Sequence, residues 1–429
     1  MKHYFYTLLA RYITLFARPG DSVAWIDPLG SDEARTMAGA NAVDLESAER
    51  GLDVDYAVIN GNLHYERDIQ AYLARIHTGL ASHSRLIVVY YSALWRPLLK
   101  LATSMGLRTK TAEQNWLSHG DVINFLSLSD FEVVRIEPKV LLPVRIPLIS
   151  ELVNRYLAPL PVFSLFCLVN VLVARPRNAA GEFGRAQTPA PSVSVVVAAR
   201  NEAGNIEDIV RRVPKMGPDD ELIFVEGGSS DDTWARIRQV QERLAGERRI
   251  VIAQQDGKGK GDAVRKGFGL ATREILMILD ADLTVPPEDL PKFYQAIVRN
   301  KGEFINGSRL VYPMERRAMR FLNLLANKFF AVAFSFVLAQ RFKDTLCGTK
   351  VITRANYERL ARNRAYFGDF DPFGDFDLIF GAARMGLRIV EVPITYRERT
   401  YGETNISRWT HGTLLLAMLV FAARRLKFI

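Results

Sequence analysis

Cysteine is scarce: Cys167 and Cys347 are the only two in 429 residues. They lie far apart in apolar surroundings, which excludes a disulfide framework and favours a reducing compartment. The six histidines are scattered, and no Cys/His spacing suggests zinc. The chain has no GxxxxGK[ST], so GKGKG at 257–261 is not a Walker A loop. No clustered basic and aromatic face points to nucleic acid. The N-terminus, MKHYFYTLLARYITLFARPG, lacks a signal-peptide pattern because Arg11 interrupts its apolar run. It predicts an amphipathic first helix. What is plentiful is apolar residue, 48%, and positive charge, net +9. The length suits two or three domains. The charge attracts phosphate-bearing partners such as nucleotides or anionic lipid.

Two α/β units are expected, residues 1–175 and 191–405, joined by the Pro-, Gly- and Ala-rich linker 176–190. A basic amphipathic helix, 406–429, follows. In the first unit, strands are predicted at Val23–Ile26, Tyr56–Asn60, Arg85–Tyr91, Glu132–Ile136 and Phe166–Ala174. Helices at 66–80, 96–105 and 118–129 alternate with them, which suggests a mostly parallel sheet. Residues 156–174 carry no charge and hydropathy alone reads them as a membrane span. Pro159 and Pro161 break that helix, so a linker and a buried strand are expected instead. In the second unit, strand–turn–helix units recur, with strands at Ser192–Ala198, Glu221–Val225, Arg249–Ala253 and in ILMILD. Each strand ends in polar residues, as in a nucleotide-binding layer.

The stretch ILMILDADLT, 275–284, organises the second unit. An apolar run reads as a strand buried on both faces and ends in Asp280-Ala281-Asp282. One intervening residue lets both carboxylates point to one side of an extended chain. Two such acids repel unless a cation lies between them. A divalent ion shared with a nucleotide pyrophosphate meets that need.

In the first unit, VDYAVINGNLHY (54–65), RLIVVY, QNWLS (114–118) and DFEVVR (130–135) resemble class I S-adenosylmethionine-dependent methyltransferases. The resemblance implies a Rossmann-type domain. WIDPLGSDEA offers only Gly30 where that family has a Gly-rich cofactor turn, so a degenerate domain is expected, with S-adenosylmethionine binding unlikely and active methyl transfer the alternative.

In the second unit, ARNEAGN, FVEGGSSDDT, GKGDAVRKG, DAD, NGSR (306–309), DTLCGTK (344–350) and EVPITYRERTYGETN occur in order. This set resembles the family-2 glycosyltransferases of the GT-A fold, above all the polyprenyl-phosphate sugar synthases. The resemblance implies an inverting, metal-dependent transfer from a nucleoside-diphosphate sugar to a lipid phosphate or saccharide. It implies a divalent Mg or Mn ion on Asp282 with help from Asp280. Arg200, Glu202, Glu226, Lys260, Asp280, Arg309, Arg397 and Arg399 would bind substrate. Asp375 is the first choice for general base and Asp377 the second, within the duplicated GDFD segments. Glu226 stands where the family has Asp, Asn405 where it has Lys, and Thr284 where relatives often offer a further ligand.

Phe329–Ala339 and Thr413–Ala423 are apolar with basic edges and too short to span a bilayer. They suggest peripheral association with the cytoplasmic face of a membrane.

Overall fold

A computed structural model describes residues 2–17, 20–28, 33–106, 115–177, 190–312, 321–362, 364, 376–399, 401 and 408–429. The chain divides into two compact units: Met1–Asn178 with Ala423–Ile429, and Ala179–Ala422.

The first unit holds strands β1 (Val23–Ile26), β2 (Asn41–Val43), β3 (Tyr56–Asn60), β4 (Arg85–Tyr91), β5 (Phe131–Lys139) and β6 (Val169–Pro176). Their order in the sheet is β2-β1-β3-β4-β6-β5. The pairs among β1 to β4 are parallel, but β6 runs antiparallel to both β4 and β5. Five of the six strands therefore run the same way, in line with a mostly parallel sheet, and only β6 is reversed. Between β5 and β6 the chain makes only short helical turns and no crossover helix, so β6 enters reversed. The uncharged stretch becomes one such turn, Pro161–Ser164, and then β6, which is buried along its whole length. The first helix, Lys2–Thr14, packs its Leu8, Leu9, Tyr12 and Ile13 into the core beside Trp25 and Val171.

Strand β5 alternates as expected for a half-buried edge, yet its inner positions include Arg135, Glu137 and Lys139, all buried. Glu137 pairs with Lys139 at 2.9 Å and with Arg135 at 3.4 Å. The two cations lie over the rings of Phe16 and Tyr12. Lys427 is the fourth member. It is 9% exposed, and burial lowers its pKa, a shift that the charge of Glu137 opposes. The basic helix expected over 406–429 thus gives Lys427 to the interior of the first unit. The long helix ends at Ala422, and residues 423–429 dock in the first unit, with Ile429 against its core.

The second unit holds β7 (Val193–Ala199), β8 (Glu221–Glu226), β9 (Arg249–Gln254), β10 (Ile275–Asp280), β11 (Phe304–Ser308), β12 (Lys350–Thr353) and β13 (Ile389–Pro393). Their order is β13-β11-β12-β10-β7-β8-β9, with β12 antiparallel to β10 and β11 and every other neighbour parallel. The chain steps outward through β7, β8 and β9, then returns to lay β10 on the other side of β7. That reversal opens a crevice outside the carboxyl ends of β7 and β10, where open α/β sheets take ligands. The apolar residues of β10 are fully buried, which fits the unbroken ILMIL run. The helices Phe321–Leu338 and Arg408–Ala422 pack against one another. Among the described residues no helix is long and apolar enough to cross a membrane.

Candidate functional site

Several loops meet at the crevice. The one after β7 carries Arg200, Asn201 and Glu202. Arg200 is exposed. Asn201 adopts φ +57°, and its Oδ1 accepts from Ser230 N at 2.8 Å. Glu202 N donates to Thr233 Oγ1 at 2.9 Å. The loop after β8 is thus laced to the loop after β7. Glu226, at the end of β8, is buried and braces its own turn. Its carboxylate accepts from Ser229 N and from Gln254 Nε2 at 3.1 Å. Burial alone would raise its pKa, but these hydrogen bonds prevail and hold it below the usual range.

The turn after β10 presents the acid pair. Leu283 adopts φ +53°, a conformation that costs a non-glycine residue about 1–2 kcal/mol. Its side chain is buried in the core, which offsets that strain. Thr284 donates to Asp282 Oδ1 through both its backbone N (3.1 Å) and its hydroxyl (2.8 Å). The Thr284 hydroxyl is therefore spent on orienting Asp282. Asp282 Oδ2 accepts from Arg399 Nη2 at 2.7 Å, and Arg399 Nη1 lies 3.3 Å from Glu202 Oε1. Glu202 also accepts from Asn205 Nδ2 at 2.7 Å. Burial pushes its pKa up to about 7. Arg399 opposes the shift, while Asp282 and Asp231 add to it. More acid than base has been gathered around Arg399.

Asp280 is held differently. Its Oδ1 pairs with Lys260 Nζ at 2.6 Å, at the start of the helix Lys260–Leu270. On its other side lies Gly348, where a Cβ would come within 2.0 Å of Asp280 Oδ2. Burial raises the pKa of Asp280, but Lys260, Lys350 and Arg309 outweigh it and keep the carboxyl ionised. The segment 344–350 thus crosses the end of β10 with glycine at its closest point.

Arg309, expected to bind substrate, is paired with a buried acid. Its guanidinium forms a two-pronged pair with Asp344, at 2.7 and 2.8 Å, and lies 5.1 Å from the ring of Tyr396. Asp344 is fully buried and also accepts from Asn327 Nδ2. A planar fork matched to a buried carboxylate is thus engaged within the protein. Arg397 donates its backbone N to Thr284 O at 3.0 Å and leaves its side chain exposed. Asp377, at the start of the helix Phe376–Arg384, is 5% exposed, with Arg364 Nε 3.5 Å away. Asp375 lies outside the described residues, as do Asp369 and Asp371.

Tyr401 and Asp231 were not singled out from the sequence. Tyr401 packs on Gly204, where a Cβ would lie 2.5 Å from its ring. Its hydroxyl reaches Asp231 Oδ2 at 3.4 Å. Asp231 Oδ2 also accepts from Ala203 N at 3.3 Å. Together they seat the segment that carries Arg399 over the loop after β7. The GSSDD run signals only a turn, and nothing in it names a tyrosine 170 positions on.

The donor set suits a hard divalent ion. Among the described residues no group of three or more His, Cys, Asp or Glu forms a metal cluster. The protein would offer Asp282 and Asp280, leaving the rest of the shell to phosphate oxygens and water.

The first unit has its own strand reversal, between β1 and β3. There Asn62 is buried, and its Nδ2 donates to Asp27 O at 2.8 Å. Its Oδ1 accepts from Asn60 N, and Asp27 Oδ1 accepts from Leu45 N, both at 2.9 Å. Among the described residues, Asn62 and Asp27 thus tie this turn to its neighbours.

Residues 194–364 match the family described as glycosyl transferase family 2. The chain is 28% identical over 220 residues to a dolichol-phosphate mannosyltransferase of Pyrococcus furiosus, covering 50% of this chain and 59% of that one. It is 28% identical over 235 residues to a polyprenol monophosphomannose synthase of Mycolicibacterium smegmatis, covering 53% and 86%. Among solved structures, a glucosyl-3-phosphoglycerate synthase of M. tuberculosis overlaps 55% of this chain and 81% of its own, at 22% identity and a TM-score of 0.38.

Proposed function

We propose that this protein, whose residues 194–364 match glycosyl transferase family 2, moves a sugar, with inversion, from a nucleoside-diphosphate sugar to a polyprenyl phosphate. The observation that carries the reading is the meeting of Glu202, Asp280, Asp282 and Arg399 at the strand reversal of the second sheet. The acceptor class follows the names of the relatives, a dolichol-phosphate mannosyltransferase and a polyprenol monophosphomannose synthase.

In this reading the nucleotide lies across the ends of β7 and β8, and its pyrophosphate approaches Asp282. Bound there, a divalent ion would neutralise phosphate charge and act as Lewis acid for the departing nucleotide. Arg399 leaves its pairing with Asp282 and Glu202 to hold phosphate oxygens in its fork. Lys260 keeps Asp280 ionised and fixed. An acceptor oxygen attacks the anomeric carbon from the face opposite the nucleotide. The new C–O bond forms as the old one breaks, and its electron pair leaves with the nucleoside diphosphate. A lipid phosphate is already ionised near neutral pH and needs no base. A saccharide hydroxyl would need one, and Asp375 is the candidate. Asp377, buried beside Arg364, is poorly disposed to that role. For the first unit we favour a degenerate Rossmann-type domain without methyl transfer, since Gly30 is the only glycine of the WIDPLGSDEA turn. Peripheral membrane binding through the helices Phe321–Leu338 and Arg408–Ala422 belongs to the same reading. Leu325, Phe329, Val332, Leu416 and Val420 are exposed on them.

The test is a donor-hydrolysis and transfer screen of UDP- and GDP-sugars with Mn²⁺ or Mg²⁺, with and without polyprenyl phosphate. Turnover should require both ion and lipid phosphate and be lost in Asp282→Asn. Full turnover by that variant would defeat the assignment.

A further inference from the structure

The helix Arg96–Ser104 in the first unit is amphipathic the wrong way round for a packed helix. Leu94, Leu98, Leu101 and Met105 recur at helical spacing and form one stripe, and each is more than half exposed. The packed side is supplied instead by Trp95 and Leu99, which touch the core. Trp95 Nε1 donates to Phe166 O at 2.8 Å, so the end of a second segment adjoins this helix. That segment, residues 144–166, exposes Leu148, Val162, Leu165 and Phe166. A soluble surface seldom gathers apolar side chains this densely without a partner.

One of them is presented at a cost. Leu148, 81% exposed, is the centre of a γ-turn with φ +63° and ψ −43°, closed by Ile149 N to Pro147 O at 2.7 Å. This is the rare, strained form of that turn. Strain held at a loop tip and aimed at solvent points to a task for the side chain.

Charge identifies the partner. Residues 92–106 contain Arg96 and Lys100 and no acid. The second segment adds Arg145 and Arg155 against Glu151, which itself faces Arg11 at 3.8 Å. Arg96, Lys100 and Arg145 are exposed. An apolar face edged by cations of one sign fits an anionic lipid surface. Two copies meeting through it about a two-fold axis would bring like charges together. We propose that the outer face of the helix Arg96–Ser104 and the adjoining 144–166 segment form an interfacial membrane-binding surface of the first unit, inserted among the head groups of an anionic bilayer. This surface belongs to the first unit alone and does not depend on sugar transfer.

The experiment is flotation of the full chain with vesicles of phosphatidylcholine, alone or mixed with phosphatidylglycerol, at low and high salt. Three variants are compared: Leu98→Asp with Leu101→Asp, Leu148→Asp with Leu165→Asp, and Phe329→Asp with Val332→Asp. Each first-unit pair should lower binding to the anionic vesicles about tenfold or more, and salt should weaken what remains. Thermal melting should stay unchanged, because the substituted side chains face solvent. Independently, Leu98→Cys carrying an environment-sensitive dye should shift to the blue on those vesicles; both native cysteines are buried and spared the label. Three outcomes overturn the proposal. One is flotation of the first-unit variants as wild type, whether or not the second-unit pair abolishes it. Another is an unshifted dye. The third is a wild-type dimer that the first-unit variants convert to monomer, which would make the face a contact between copies.

Discussion

Arg399 Nη2 stands 2.7 Å from Asp282 Oδ2, and the same guanidinium also reaches Glu202. One cation therefore balances two acids that face each other across the crevice. Truncation to Arg399→Ala leaves both acids without it. A charged hydrogen bond of this kind is worth about 1.5–3 kcal/mol. The KM for the sugar donor should rise about tenfold or more, with a smaller rise for Arg399→Lys, which keeps the charge but not the fork. Steady-state donor hydrolysis checks this; an unchanged KM in the alanine variant would remove Arg399 from the donor site.

Gly348→Ala puts a methyl group where Asp280 Oδ2 now lies, 2.0 Å away. Either Asp280 or the 344–350 segment must move. The expected result is a folded protein whose half-saturating Mn²⁺ concentration rises several-fold. Manganese titration of donor hydrolysis, with a melting curve alongside, measures both effects.

Leu283→Gly sets two terms against each other. Glycine relieves the φ +53° strain, about 1–2 kcal/mol. It also empties a buried leucine site, where even truncation to alanine costs about 2–5 kcal/mol. Burial wins, so the variant should be less stable by a few kcal/mol at most. Urea titration decides it, and a midpoint above wild type would show that strain dominates.

Asp344 supplies a pH dependence. Burial would raise its pKa, but Arg309 and the hydrogen bonds around it prevail and hold it below the usual carboxyl range. A lowered folded value means stability that is complete above the unfolded value, about 3.9, and is lost as pH falls through the folded one. Asp344→Asn should cost about 3–5 kcal/mol at pH 7, because Arg309 is left buried without its counter-ion. It should also flatten the fall in stability below about pH 4. Urea midpoints across this range test both limbs.

Much of the site was legible where local pattern governs. The apolar run of β10 ends where ILMILD turns acidic, and the polar ends of β7 and β8 fall where strand–turn–helix alternation puts them. Pairing at a distance was not legible. Nothing in NGSR reveals that Arg309 is matched to Asp344, 35 positions on. Nothing in ARRLKFI foretells that Lys427 will be buried near Glu137. Strand β2 escaped notice because it has three residues and no buried alternation. The reversal of β6 depends on the route of the preceding chain, which periodicity does not encode. Hydropathy marks the apolar helices of the second unit, whereas the exposed stripe on Arg96–Ser104 is defined by which face of that helix packs.

The docking of residues 423–429 against the first core has a consequence for synthesis. The polypeptide enters the first unit, leaves it at Asn178, builds the whole second unit, and returns only at Ala423. On the ribosome the nascent first unit lacks the ammonium of Lys427 beside Glu137 and the apolar cap of Ile429. The second unit is uninterrupted and can fold as it emerges. Closure of the first unit therefore waits on residues 423–429, made after the whole of the second unit.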